Sequence, residues 1–102
     1  MASKTSKKIP PVHPGEVLLE DFLHPLGVSR YRLAKDTGLP QTRIGEIVRG
    51  RRAVTADTAL RFGRFFGTSA EFWMNLQARY DLEVARDTLG NRLIRDVNPL
   101  AA

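Results

Sequence analysis

Cysteine is absent from this chain of 102 residues, and so are long apolar runs. Without thiols the protein can form no disulfide, no thiolate nucleophile and no cysteine-ligated zinc site. No stretch approaches the ~20 apolar residues of a membrane-spanning helix, and the basic residues 1–8 lack the apolar core of a secretory signal. We therefore expect a protein that works in the cytoplasm and has no membrane partner. Its length of 102 residues predicts a single domain.

Patterns typical of enzymes are also missing. The only histidines, His13 and His24, each precede a proline, which is typical of turn or cap residues. At the two ends of one helix they would lie ~16 Å apart, too far for a single catalytic site. The sequence contains no glycine-rich phosphate loop, nucleophile elbow or zinc-ligand spacing. We expect no enzymatic activity, no metal site and no cofactor.

The formal net charge is +5, and the excess is concentrated in one segment. Residues 29–52 hold seven Lys and Arg against two acidic residues, a difference of +5. Residues 9–28 hold three acidic residues and no Lys or Arg, and residues 53–102 hold six of each sign. Because ordinary surfaces intersperse the two signs, a local basic excess is typical of a protein that binds nucleic acid.

Cap and turn residues divide the middle of the chain into five predicted helices. Residues suited to helix starts and ends are Pro14, Ser29, Gly38, Gly50, Thr55 and Gly67. The sequence Thr68-x-x-Glu71 is typical of a capping box at the start of the last helix. The predicted helices run from residue 14 to a stop at 24–27, and over 30–37, 41–49, 56–66 and 69–87. The predicted fold class is therefore all-α.

The predicted helix-turn-helix domain covers residues 13–87, and the two ends of the chain lack its pattern. Residues 1–12 are polar and basic and end in two prolines, which predicts a disordered basic N-terminal arm. Residues 88–102 contain glycine, asparagine and proline and predict an irregular C-terminal tail. Within that tail, residues 92–97 could make a few strand pairings.

Two short predicted helices, 30–37 and 41–49, are separated by a tight turn that begins with glycine, which is the helix-turn-helix pattern. In such a unit the second helix enters the major groove of DNA, and its first residues reach the base edges. Those residues are Gln41, Thr42 and Arg43. Their side chains suit adenine, the thymine methyl group and guanine respectively.

Contacts with the DNA backbone are predicted on both sides of these base-reading residues. Ser29 and Arg30 begin the first helix of the unit, where a hydroxyl, a guanidinium and free backbone N–H groups suit a phosphate. Arg49, Arg51 and Arg52 follow the second helix. We expect at least one of them to contact phosphate, because the local basic excess has no evident acidic partner. Alternatively, Arg49 complements the helix dipole and the other two are solvated.

Gly45 lies inside the second of these helices, where glycine costs about 1 kcal/mol relative to alanine. One interpretation is that a larger side chain would collide with DNA. The other is local packing, or simple tolerance on an exposed face. The sequence leaves both open.

A homodimer is expected, because a monomer of this size contacts too little DNA to be specific. Two copies would place their second helices about 34 Å apart over an inverted repeat. The last predicted helix carries more apolar residues than one face can bury. The predicted dimer interface is Met74, Tyr80 and Leu82.

Residues 13–84 resemble the HigA antitoxin family, also called VapI-like plasmid-maintenance antidotes, a branch of the Xre/Cro-like helix-turn-helix proteins. "LPQTRIGEIVRGRRAVTADTALRFGRFFGTSAEFWMNLQ" carries most of the likeness. The resemblance implies a five-helix, lambda-repressor-like DNA-binding domain that represses its own operon as a homodimer. It also implies a HigB-like toxin partner, a ribosome-dependent mRNA endonuclease. The family's base-reading positions fall on Gln41, Thr42 and Arg43, and its backbone positions on Ser29, Arg30 and Arg49–Arg52.

Two other functions remain open. A stand-alone transcriptional regulator without a toxin would carry the same DNA-reading residues. A protein-binding module could use the basic residues to hold an acidic partner. Salt-dependent, sequence-specific DNA binding would exclude the module as the main role.

Overall fold

The computed structural model describes residues 9–101 and is built from helices, with no strand in that range. Residues 1–8, most of the predicted arm, and Ala102 lie outside the described residues. The helices are α1 (Pro14–Val17, Leu18–Leu23 and His24–Leu26, without a break), α2 (Arg30–Thr37), α3 (Gln41–Val48), α4 (Ala56–Phe66), α5 (Ala70–Leu89) and α6 (Arg92–Asp96). The all-α class and the five predicted helices are present. None of these helices combines the length and apolar composition needed to span a bilayer.

Helix α1 begins at a histidine cap and passes through the predicted stop. The Nδ1 atom of His13 accepts a hydrogen bond of 2.8 Å from the Gly15 N–H. The middle segment of α1 is π-helical, and the N–H of His24 donates to the Leu19 carbonyl. Pro25 then fits the start of the last α-helical segment, where a missing N–H costs little. For that reason α1 continues to Leu26.

The start of α5 differs from the predicted capping box by one residue. Ser69 is the cap, and its hydroxyl oxygen accepts from the Phe72 N–H at 3.0 Å. The hydroxyl of Thr68 instead accepts a 2.9 Å hydrogen bond from Nε1–H of Trp73. Thr68 and Ser69 both carry hydroxyl groups that could cap α5. Because Thr68 bonds to the buried indole of Trp73, Ser69 caps the helix.

Residues 92–97 were expected to be irregular or extended, and most of them form α6 instead. A strand needs a neighbouring strand to satisfy its backbone groups, and residues 9–101 contain none. Hydrogen bonds within the segment satisfy these backbone groups instead. The Val97 N–H, for example, donates to the Leu93 carbonyl at 3.1 Å.

The core is centred on Trp73, which is fully buried. The ring centroids of Phe22, Phe62, Phe66 and Phe72 lie between 5.0 and 5.9 Å from its ring. These tilted and edge-to-face contacts are favourable aromatic geometries. They join α1, α4 and α5 into one core.

Two polar contacts fix the helix-turn-helix unit to this core. The Gln77 Oε1 of α5 accepts a buried 2.7 Å hydrogen bond from the Val54 N–H, in the loop after α3. Arg61 of α4 donates from Nη1 to the Thr37 carbonyl at the end of α2, at 2.8 Å. Side chains thereby satisfy backbone groups that no helix satisfies.

The cap residue His13 is buried, and this burial lowers its pKa below the ordinary 6.5. The carboxylates of Asp81 and Glu16 and a hydrogen bond with the Arg52 backbone only partly oppose the effect. The ring of Tyr80 packs edge-on against the imidazole, with centroids 4.8 Å apart. The fold therefore stabilises the neutral ring.

We expect the free energy of unfolding to decrease as the pH falls below about 6.5, because unfolded His13 binds a proton more readily than folded His13. Urea unfolding at about pH 7.5 and about pH 5.5 measures the change. The His13→Asn variant keeps a cap acceptor and should lose less stability over this interval. His24→Asn, which removes the exposed imidazole 3.5 Å from Glu20, is the control for the loss of a histidine. Equal losses for the wild type and His13→Asn would contradict this assignment.

Candidate nucleic-acid interface

One face of α3 is fixed to the core. Ile44, Ile47 and Val48 are buried, together with Leu39 of the preceding turn. The turn begins at Gly38, whose φ of +73° is in the left-handed region that glycine adopts without strain. α3 is therefore a rigid helix joined to α2 by three residues.

The opposite face of α3 is open to solvent at its N-terminal end. Gln41 and Thr42 are exposed and Arg43 is half-buried. A shallow groove on this face is lined by Arg30, Gln41, Thr42, Gly45, Glu46 and Arg49. The structure thus brings predicted base-reading and backbone residues together, while Arg43 is outside the lining.

The start of α2 matches the prediction for a phosphate contact. The hydroxyl oxygen of Ser29 accepts a 3.0 Å hydrogen bond from the Arg32 N–H and caps the helix. Its own O–H is on an exposed side chain and can donate to a phosphate. Arg30, the first residue of α2, extends to the groove beside α3.

The basic excess is partly neutralised, which the sequence did not indicate. Arg52 donates from Nε to Glu46 Oε1 at 2.7 Å, so the expectation that it lacks an acidic partner is wrong. The chain reverses at Gly50, where φ is +76°, and returns Arg52 to α3. On α2, Arg32 pairs with Asp36 at 3.3 Å.

Four of the six arginines in residues 29–52 form no ion pair with another described residue. Within residues 9–101, no ion pair or side-chain hydrogen bond involves Arg30, Arg43, Arg49 or Arg51. A surface on which unpaired positive charges outnumber the acidic groups favours a polyanion.

Gly45 makes room for one of these arginines. A Cβ atom at this position would lie 3.3 Å from Nη1 of Arg49, so the guanidinium lies over the glycine. This contact agrees with the interpretation of local packing, and Gly45 is buried and not on an exposed face. Part of the floor of the groove is therefore the backbone of Gly45, which the Arg49 guanidinium covers.

The predicted dimer residues do not share one surface. Met74 is 37% and Leu82 54% exposed, but Tyr80 is half-buried against His13 of its own chain. Tyr80 therefore packs within its own monomer.

An exposed apolar stripe runs along α5. It consists of residues spaced by four, four, three and four positions: Met74, Ala78, Leu82, Ala85 and Leu89. Its helical spacing was the signal that could have identified Ala78, Ala85 and Leu89.

Among residues 9–101, no group of three or more His, Asp or Glu side chains is arranged to hold a metal ion. The arrangement as a whole consists of a projecting helix N-terminus and uncommitted cations, which suits binding better than catalysis.

Comparison with known proteins gives consistent results. The helix-turn-helix family model matches residues 19–73. Virulence-associated protein I of Dichelobacter nodosus is 50% identical over 78 residues, which cover 76% of this chain and 72% of that protein. Pseudomonas aeruginosa antitoxin HigA, solved with the higBA promoter, has a TM-score of 0.86 at 41% identity and covers 89% of this chain and 99% of its own. A HigA-family addiction module antidote protein from Coxiella burnetii has a TM-score of 0.85 at 42% identity, covering 90% of this chain and 100% of its own.

We expect opposite effects from alanine at two helical glycines. Gly45→Ala should raise the free energy of unfolding by about 0.5–1 kcal/mol, because only the mobile end of Arg49 must shift. Gly63→Ala should lower it by roughly 1–3 kcal/mol, because the new Cβ would lie 2.8 Å from the backbone oxygen of Thr68. Chemical denaturation measures both changes, and equal destabilisation by the two substitutions would show that Gly45 has a different packing role.

Proposed function

Because this chain belongs to the helix-turn-helix family, in the branch of the HigA antitoxins, we propose that it is a sequence-specific DNA-binding antitoxin that represses its own operon as a homodimer. The family consists of DNA-binding proteins and not of enzymes. The partner that it neutralises is a HigB-like mRNA endonuclease toxin. Because both the operon DNA and an mRNA endonuclease act in the cytoplasm, we expect this protein to act there too.

The observation that carries the proposal is the groove at the start of α3. It combines exposed Gln41 and Thr42 with Arg30 from α2 and Arg49 from the end of α3. Two side chains that suit base edges thus line the same groove as two cations that suit phosphates. A protein-binding surface would not need polar base-reading groups beside the cations.

The base-reading role is assigned to Gln41, Thr42 and Arg43, at the N-terminal end of the helix that enters the major groove. Gln41 suits adenine and Thr42 the thymine methyl group. Arg43 is half-buried and makes no ion pair within residues 9–101, so its guanidinium is available for guanine.

Phosphate contacts are assigned to Ser29, Arg30, Arg49 and Arg51. The N-terminus of α2 supplies a hydroxyl donor and a cation, and the loop after α3 supplies the other two cations. Arg52 is bonded to Glu46, and its role is to hold this loop against α3 in addition to any phosphate contact.

The homodimer is assigned to the exposed apolar stripe of α5 that contains Met74 and Leu82. Its spacing of four, four, three and four residues is that of a seam between two packed helices. The alanines Ala78 and Ala85 would allow close approach of the two helices. Since the stripe faces away from the core residues Trp73 and Gln77, dimerisation needs no rearrangement of the monomer.

The experiment that tests the function is binding of the purified protein to its own promoter fragment and to a scrambled fragment across a salt series. We expect a preference of ~10³ or more for the promoter, saturating at two chains per inverted repeat. Co-purification with the product of the adjoining reading frame tests the toxin. An operator-specific protein with no such partner would be a stand-alone regulator, and equal binding to both fragments would reject the proposal.

Two arginines should have different roles in DNA binding. Arg43→Ala should cost ~1–3 kcal/mol and relax preference at one base pair. Arg51→Ala should weaken binding to every sequence alike and lower the salt slope by about one unit. Arg95→Ala, on exposed α6, removes the same charge and is the control. The base-reading assignment is wrong if Arg43→Ala leaves the preference unchanged.

The α5 stripe can be tested with a matched pair of leucines. Leu82→Glu should convert the dimer to a monomer, because it buries two carboxylates in one seam. Operator affinity should then fall by at least about tenfold, since one half-site is lost. Leu60→Glu, on α4 at 64% exposure, is the control. Sedimentation of both variants gives the oligomeric state, and a dimeric Leu82→Glu protein would locate the interface elsewhere.

A further inference from the structure

His13 lies where three parts of the molecule meet. Its ring faces Gly50, where a Cβ atom would lie 3.6 Å from the ring carbon Cγ. On another side it contacts the ring of Tyr80 on α5 at 4.8 Å. It also begins α1 through its hydrogen bond with Gly15. A single side chain thus touches α1, α5 and the loop that follows α3.

The two ring nitrogens have different partners. Nδ1 accepts the hydrogen bond from the Gly15 N–H at 2.8 Å, so it carries no proton. The proton of the neutral ring is therefore on Nε2. The Arg52 backbone, whose hydrogen bonding acts to raise the pKa of the ring, can accept from this N–H through its carbonyl.

The loop after α3 is consequently attached at two points. The side chain of Arg52 bonds to Glu46 on α3 at 2.7 Å. The imidazole of His13 packs against Gly50 in the same loop, with the Arg52 backbone as the hydrogen-bonding partner available to it. Arg51 directly precedes Arg52, and it is exposed and without an ion pair among residues 9–101. A cation on a fixed backbone loses less conformational freedom when it meets a phosphate.

We propose that His13 is a positioning residue for DNA binding, which holds the loop of Arg49, Arg51 and Arg52 in the conformation that meets the phosphates. The inference rests on the proposed DNA-binding function and adds a residue that does not touch DNA itself. Its cap uses Nδ1 and its positioning role uses Nε2. The two roles therefore lie on different atoms.

This division can be tested with two amides. In His13→Asn, the side-chain amide lies at the position of Nδ1, so its oxygen keeps the cap while the donor to Arg52 is lost. In His13→Gln, the side-chain amide reaches the position of Nε2, so the donor remains while the cap is lost. His24→Asn, at the exposed far end of α1, is the control for removing an imidazole.

The melting temperature of each variant is measured first. Binding to the promoter and scrambled fragments is then measured across a salt series at about pH 7.5, below the lowest melting temperature. His13→Asn should remain folded and bind both fragments more weakly by the same factor, about 3- to 10-fold. Its salt slope should fall by up to about one unit. His13→Gln should melt at a lower temperature yet bind DNA like the wild type.

A helix cap with no further role would give the opposite order, with binding intact in His13→Asn and weakened only as stability is lost in His13→Gln. That result would overturn the inference. Loss of promoter binding alone would also overturn it, since it would indicate an effect on base reading. If the wild type binds both fragments equally, the proposed operator function fails, but a weaker His13→Asn would still support the positioning role.

Discussion

The backbone of Gly15 lies directly against the carbonyl group of Ile47, and the DNA-facing half of the molecule depends on this approach. A Cβ atom at residue 15 would overlap the Ile47 oxygen, so only glycine lets the start of α1 reach the end of α3. That approach brings His13 beside Gly50 and beside α5. The helix that reads DNA is thereby held along its length by the core and at its C-terminal end by the beginning of the domain.

Charged side chains contribute little to the stability of the fold and mainly set the charge of its surface. The ion pairs at Asp36, Asp57 and Glu83 join residues four apart on exposed helix faces, where such pairs contribute only a few tenths of a kcal/mol. The apolar core around Trp73 supplies the main stabilisation. The arginines that lack partners among residues 9–101 are therefore unnecessary for folding and available for binding.

The sequence was sufficient where the determinants are local. Ser29 and Thr55 cap α2 and α4 as predicted, because a cap bonds to residues two or three positions away. It was insufficient where the partner is distant in sequence or set by a loop. Tyr80 was assigned to a dimer surface because nothing in its neighbourhood indicates His13, and the bond between Arg52 and Glu46 depends on how the chain reverses at Gly50. In both cases the missing information is tertiary geometry.

Helix α5 carries the apolar stripe on one face and, on other faces, the contacts of Gln77 and Tyr80 with the segments next to α3. The angle around this helix between the two sets of residues is fixed by the helical repeat of about 100° per residue. In a dimer joined along the stripe, that angle would set how the two α3 helices are oriented across the two-fold axis. The spacing of operator half-sites would then depend on this angle, and a relative whose stripe lies at another angle to the positions of Gln77 and Tyr80 would have to recognise a differently spaced repeat.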